Sequence, residues 1–171
     1  MANTYIVIGT ATVGSGGAAN MEFTSIPATF TDLSLFISSR STTSGDIDNF
    51  KIYFNGANSD RSSRFLLGRP GVPSVTSVTL STSQTGFTNG DTSTASTFGS
   101  AFYYIPNYAG ATLKSFGGDS ASELNAAGSQ FGIDANLWNV SSAITSMIIS
   151  PQSGANWKEY TIATLYGIKS S

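Results

Sequence analysis

Asp32-Leu-Ser-Leu-Phe-Ile37 and Phe50-Lys-Ile-Tyr-Phe54 decide the fold class. Leu33, Leu35 and Ile37 alternate with Asp32, Ser34 and Phe36, and Phe50, Ile52 and Phe54 alternate with Lys51 and Tyr53. A period of two belongs to a β-strand, which sends successive side chains to opposite faces. Each segment therefore has one apolar face to bury. The spacing recurs at Ala101, Tyr103 and Ile105, and again at Ile162, Thr164, Tyr166 and Ile168. Further strands are expected over residues 5–13, 20–24, 63–67, 75–80, 112–117, 130–137 and 144–150. No window sustains the i, i+3, i+4 spacing of an amphipathic helix. One helical turn over residues 120–125 is the most the pattern allows.

The connectors carry turn chemistry. Gly14-Ser-Gly-Gly17, Asn55-Gly56 and Ser153-Gly154-Ala-Asn156 supply residues that tolerate positive φ, and the first reads as a hairpin turn. Many short strands without crossover helices argue for antiparallel pairing. Two sheets that bury their apolar faces against each other give an all-β, antiparallel two-sheet β-sandwich, of jelly-roll type. An up-and-down barrel is the rival. Residues 1–171 read as a single domain with a long polar loop near 81–97, where Phe87 is the one large apolar residue.

The chain has 171 residues, enough for one well-buried core without covalent staples. Cys and His are both 0. Disulfides, a conventional zinc site and histidine-dependent nucleophiles are thereby excluded. Charged residues make up 11%, against about 25% in a typical domain. The 28 Ser and 20 Thr supply most of the polar cover instead. Net charge is −2 with no basic cluster, so neither nucleic acid nor an anionic membrane is an expected partner. Tyr5-Ile-Val-Ile8 is too short to span a bilayer or to serve as a signal segment.

Motifs for chemistry are sparse. Asp46-Ile47-Asp48-Asn49 could present oxygen ligands to calcium, but it lacks the full EF-hand spacing and reads as a solvated turn. Gly14-Ser-Gly-Gly17 lacks the helix and Lys of a phosphate loop. Ten carboxylates are present and none is marked as a catalytic pair. No catalytic residue, metal ligand or cofactor is assigned. Trp138 reads as core. Trp157, Asn156 and Phe87, with the charged spot at Asp60 and Arg61, are the candidate contacts to a partner or glycan. Asn139-Val-Ser141 matches a glycosylation acceptor by chance.

Several segments occur in an order that carries a resemblance. Val13-Gly-Ser-Gly-Gly-Ala-Ala19 leads to Phe23-Thr-Ser-Ile-Pro27, Thr31-Asp-Leu33 and Phe54-Asn-Gly56. Tyr104-Ile-Pro-Asn-Tyr-Ala-Gly110, Lys114-Ser-Phe116, Leu137-Trp138, Ala143-Ile-Thr-Ser146 and Ala163-Thr-Leu-Tyr-Gly-Ile-Lys169 follow. In this order the chain resembles a family of small virion structural proteins of tailed bacteriophages, including phages of cyanobacteria and other aquatic bacteria. The resemblance implies a non-enzymatic part on the outer surface of the virion, and it transfers no site residues.

Within that frame the expected function is a capsid decoration (cement) protein that stabilises the head by binding the major capsid protein. Strand pattern from about Thr4, without a shaft or anchoring domain, favours this reading. Contact surfaces are expected at the turns of one sandwich end, at residues 1–4, and along an unpaired edge strand. The alternative is a tail-fibre or spike module, carried by a tail-fibre protein, that recognises host surface glycan. A homo-oligomer, a trimer by family habit, is expected in either case.

Overall fold

The computed structural model describes residues 4–57, 59–70, 76–80, 84–125 and 128–169. Twelve strands occur among them: β1 (Tyr5–Thr12), β2 (Met21–Phe23), β3 (Asp32–Ser39), β4 (Ile47–Phe54), β5 (Arg61–Gly68), β6 (Thr76–Leu80), β7 (Gly86–Asn89), β8 (Gly99–Pro106), β9 (Lys114–Ser122), β10 (Gln130–Trp138), β11 (Met147–Pro151) and β12 (Ile162–Ile168). An eight-stranded sheet has the order β1-β12-β3-β8-β9-β10-β5-β6, and a four-stranded sheet the order β2-β11-β4-β7. Every ladder between these strands is antiparallel. The fold is therefore an all-β, two-sheet sandwich, and the barrel alternative is excluded. No helix among the described residues is long and apolar enough to cross a membrane.

The core lies between the sheets and is built from the predicted alternation, except in β12, where the faces are reversed: Ala163 and Leu165 are buried, and Ile162, Thr164, Tyr166 and Ile168 line the outer face. Leu33, Leu35 and Ile37 of β3 and Tyr103 and Ile105 of β8 meet Phe50, Ile52 and Phe54 of β4 and Met147 and Ile149 of β11. Rings interlock across the layers: Phe50 lies 6.1 Å from Tyr103, and Phe54 lies 5.2 Å from Phe116 and 5.4 Å from Trp138. Edge-on packing of this kind adds attraction beyond the buried area. Trp138 is 1% exposed, as expected of a core residue.

Three local expectations are corrected. Residues 120–125 hold no helical turn, because β9 extends through Ser122. Gly14–Gly17 is a turn, closed by Gly17 N–H to Gly14 O at 3.0 Å with Gly17 at φ 69°, yet it is not a hairpin. It carries the chain from β1 in the large sheet to β2 in the small one. Residues 81–97 are not one exposed loop either. Gly86–Asn89 forms β7, pairs with β4 and is wholly buried. Residues 81–83 lie outside the described set.

One buried polar network bridges the layers. The Tyr103 hydroxyl lies 2.7 Å from Thr85 O and 3.1 Å from Asp134 Oδ1. Asn136 Nδ2 donates to Asp134 Oδ2, and Ser63 Oγ donates to Asn136 Oδ1 at 2.6 Å. Burial raises the Asp134 carboxyl to about 7. A phenol has one proton, and here the nearer acceptor is Thr85 O. When Asp134 is protonated, its carboxyl can donate to the phenol oxygen, which then satisfies all three groups. Gly86 leaves the room: a Cβ there would stand 2.5 Å from the Tyr103 hydroxyl and from the Phe50 ring.

Candidate binding cleft and exposed sheet face

Four connections gather at one end of the sandwich, joining β1 to β2, β3 to β4, β7 to β8 and β11 to β12. They enclose an open cleft of about 740 Å³. Arg40 organises its wall. The residue is 6% exposed, and its guanidinium donates to four backbone carbonyls of the β7–β8 loop. Nη1 reaches Thr94 O at 2.8 Å and Thr97 O at 3.0 Å, and Nη2 reaches Asp91 O at 3.1 Å and Ser93 O at 2.9 Å. A planar fork with several fixed donors suits this task better than an ammonium does. The Arg40 carbonyl accepts from Lys158 N at 2.8 Å, which ties the β11–β12 loop to the same point.

Trp157 forms the floor. It is 0% exposed, and its Nε1 donates to Ile149 O at 3.1 Å. Its backbone bridges to Ala18 in both directions, at 2.7 and 3.2 Å. At the rim, Lys158 and Asp91 form an ion pair. The hydrogen bond from Lys158 holds the Asp91 carboxyl below its usual range.

Tyr160 stands out by its backbone. Its φ is 68°, and its residue is 71% exposed. The turn closes from Thr161 N to Lys158 O at 3.1 Å, so Tyr160 occupies the third position, which type II turns give to Gly or Asn. A bulky residue held there costs of order 1–3 kcal/mol. Its exposed ring returns little of that in packing. Ser96 at φ 61° and Gly17 at φ 69° line the same cleft.

The residues expected to form contacts divide. Asn156 is exposed and lines the cleft. Trp157 lines it only from below, so it offers no free ring face. Phe87 is 5% exposed, 5.7 Å from Phe65 inside the sandwich, and carries no surface contact. Asp60 and Arg61 sit at the start of β5, at the opposite sandwich end from the cleft. Arg61 is half-buried, its guanidinium is lowered to about 10 by burial, and Nη2 lies 3.4 Å from Thr85 Oγ1. Asp46 and Asp48 are spent on loop hydroxyls. Asp46 accepts from Thr92, and Asp48 accepts from Thr43 and Ser153 at 2.7 and 3.0 Å. Among the described residues no group of three His, Cys, Asp or Glu side chains could hold a metal ion.

The outer face of the large sheet is a second surface, one that sequence reasoning missed. The residues that alternate with the core positions include many apolar ones. Val7 is 56% exposed, Phe36 45%, Tyr104 40%, Ile133 55% and Leu66 47%. Rings run across four strands, with Tyr5 6.2 Å from Tyr166, Tyr166 5.6 Å from Phe36, and Phe36 5.0 Å from Phe102. Beyond them Phe102 pairs in register with Asp119, Asp119 with Ile133, and Ile133 with Leu66. The charged side chains on the described part of this face are Asp32, Asp119 and Arg64. The signal available in the sequence was the presence of Phe36 and Phe102 at the nominally polar positions of their strands.

No family model, no curated protein and no solved structure matches this chain.

Proposed function

We propose that this chain is a non-enzymatic structural protein of a bacteriophage virion, a jelly-roll capsid decoration protein that packs on the major capsid protein at the outer surface of the head. The exposed outer face of the large sheet carries the reading. From β1 to β5 it extends about 29 Å across the strands and about 26 Å along them, about 750 Å². A standard protein interface buries about 800 Å² on each partner. Isolated apolar side chains on a surface are ordinary, but rings that touch across four neighbouring strands, with Ile133 and Leu66 beyond Asp119 on the same face, mark an interaction site. Burying it adds contact area between neighbours, and binding to the assembled shell raises shell stability by mass action.

Strand order supports the jelly-roll type. Without β5, β6, β9 and β10, the sheets read β1-β12-β3-β8 and β2-β11-β4-β7. Successive strands of that reduced set change sheet at every step except from β4 to β7, the wiring of two Greek keys folded together. The four remaining strands widen one sheet only, and so enlarge the outer face.

The test is binding to purified heads. Ile133→Lys places a charge on the face at a site 55% exposed in the free chain. It is expected to shift the melting temperature by less than about 3 °C. Co-sedimentation with heads should fall at least tenfold. Unchanged co-sedimentation would remove the face from the reading.

A further inference from the structure

We propose that the loop-end cleft is a binding site for neutral carbohydrate, with Tyr160 as the stacking platform. This goes beyond the docking role, because the cleft lies at one end of the sandwich and leaves the outer sheet face free.

Tyr160 carries the argument. Its turn position suits Gly or Asn, yet the chain places a large ring there, 71% exposed, at the mouth of a cleft of about 740 Å³. Folding alone would favour the smaller residue. Strained backbone at a bulky residue is found where a side chain must be aimed, and Ser96, also left-handed, lines the same cleft. An exposed phenol offers one flat apolar face and one polar tip. The C–H face of a pyranose fits the first, and its hydroxyls fit the second.

The rest of the lining selects the ligand class. Polar side chains dominate the lining, beside an apolar and aromatic shelf of Ala95, Phe98, Trp157 and Tyr160, and a concave site with both kinds of group can hold and orient a small polar ligand. Asn156 and Ser96 present an amide and a hydroxyl, groups that both donate and accept and so match sugar hydroxyls. Cationic recognition is spent within the protein. All four Arg40 contacts go to backbone carbonyls, and Lys158 is paired with Asp91. With Glu159 and Asp91 set against Arg40 and Lys158, the lining carries no net charge. A phosphate or an acidic sugar would find both cations already hydrogen-bonded and no net positive charge to draw it in, whereas an uncharged sugar needs neither.

The experiment applies the whole chain to an array of immobilised neutral oligosaccharides built from glucose, galactose, mannose and N-acetylglucosamine, with sialylated and sulfated counterparts. The wild-type chain is expected to bind at least one neutral oligosaccharide in preference to the acidic set. Tyr160→Ala should weaken that binding at least tenfold, and Tyr160→Phe, which keeps the ring, by less than threefold. Tyr160→Asn should melt at or above the wild-type temperature and still lose binding, which separates the ring from any role in folding. Absence of binding to every neutral oligosaccharide, preference for the acidic set, or wild-type binding by Tyr160→Asn would each overturn the assignment.

Discussion

Replacing Asp134 by Asn should stabilise the protein, and by an amount that depends on pH. Asp134 is 4% exposed, and burial lifts its carboxyl from an ordinary value of 3.8 to about 7. The folded chain thus holds this proton more tightly than the unfolded chain does. Its contribution is fully present below about pH 4 and is lost as pH rises toward 7. A shift of roughly three pKa units corresponds to about 4 kcal/mol. For a chain of this size that is roughly 10 °C in melting temperature. Asparagine reproduces the protonated acid. Its Nδ2 can donate toward the Tyr103 oxygen while its Oδ1 accepts from Asn136 Nδ2. Calorimetric melting of both proteins from pH 4 to pH 8.5 measures the effect. The variant is expected to melt within about 2 °C of wild type at pH 4 and several degrees higher above pH 8. A difference that stays constant with pH, or a variant less stable at pH 8, would refute the neutral-carboxyl account of the network.

Other substitutions test the cleft wall and the far end of the sandwich. Arg40→Lys loses the fork that holds Thr94, Thr97, Asp91 and Ser93. It should cost about 2–3 kcal/mol and speed amide exchange in residues 91–97 before exchange rises elsewhere, which hydrogen–deuterium exchange would detect. Lys114 is 1% exposed, and its ammonium donates to the carbonyls of Gly110, Thr112, Ser141 and Ser142. Lys114→Met removes those donors from a buried site and should cost about 3 kcal/mol in a urea titration, with an unchanged m-value.

Strand periodicity was legible because most strands bury one face against the core and leave the other partly open. Leu33, Leu35 and Ile37 mark that face directly. β7 was hidden for a physical reason. Gly86-Phe-Thr-Asn89 is short and half polar, so it reads as loop. Its polar groups are buried because they find partners: Thr88 Oγ1 lies 2.7 Å from Ser39 Oγ, and Asn89 Oδ1 accepts from Ser122. Such long-range pairs leave no periodic trace. Trp157 misled in the opposite direction. A Trp flanked by turn residues looks exposed, but Phe50 at 6.3 Å and the Ile149 carbonyl draw it into the core. Tyr160 could not have been selected from sequence, since its weight comes from a backbone angle and an exposure. The aromatic outer face was half legible: Phe36, Phe102 and Tyr104 fall at outward positions of the pattern, Tyr166 falls at an inward one, and the side-by-side placement of β12, β3 and β8 that gathers them is a matter of topology.

The central claim, attachment to the head, is tested most directly by immunogold labelling of intact particles with antibody against this chain. Label distributed over the head is the predicted result. Label confined to the tail would contradict it.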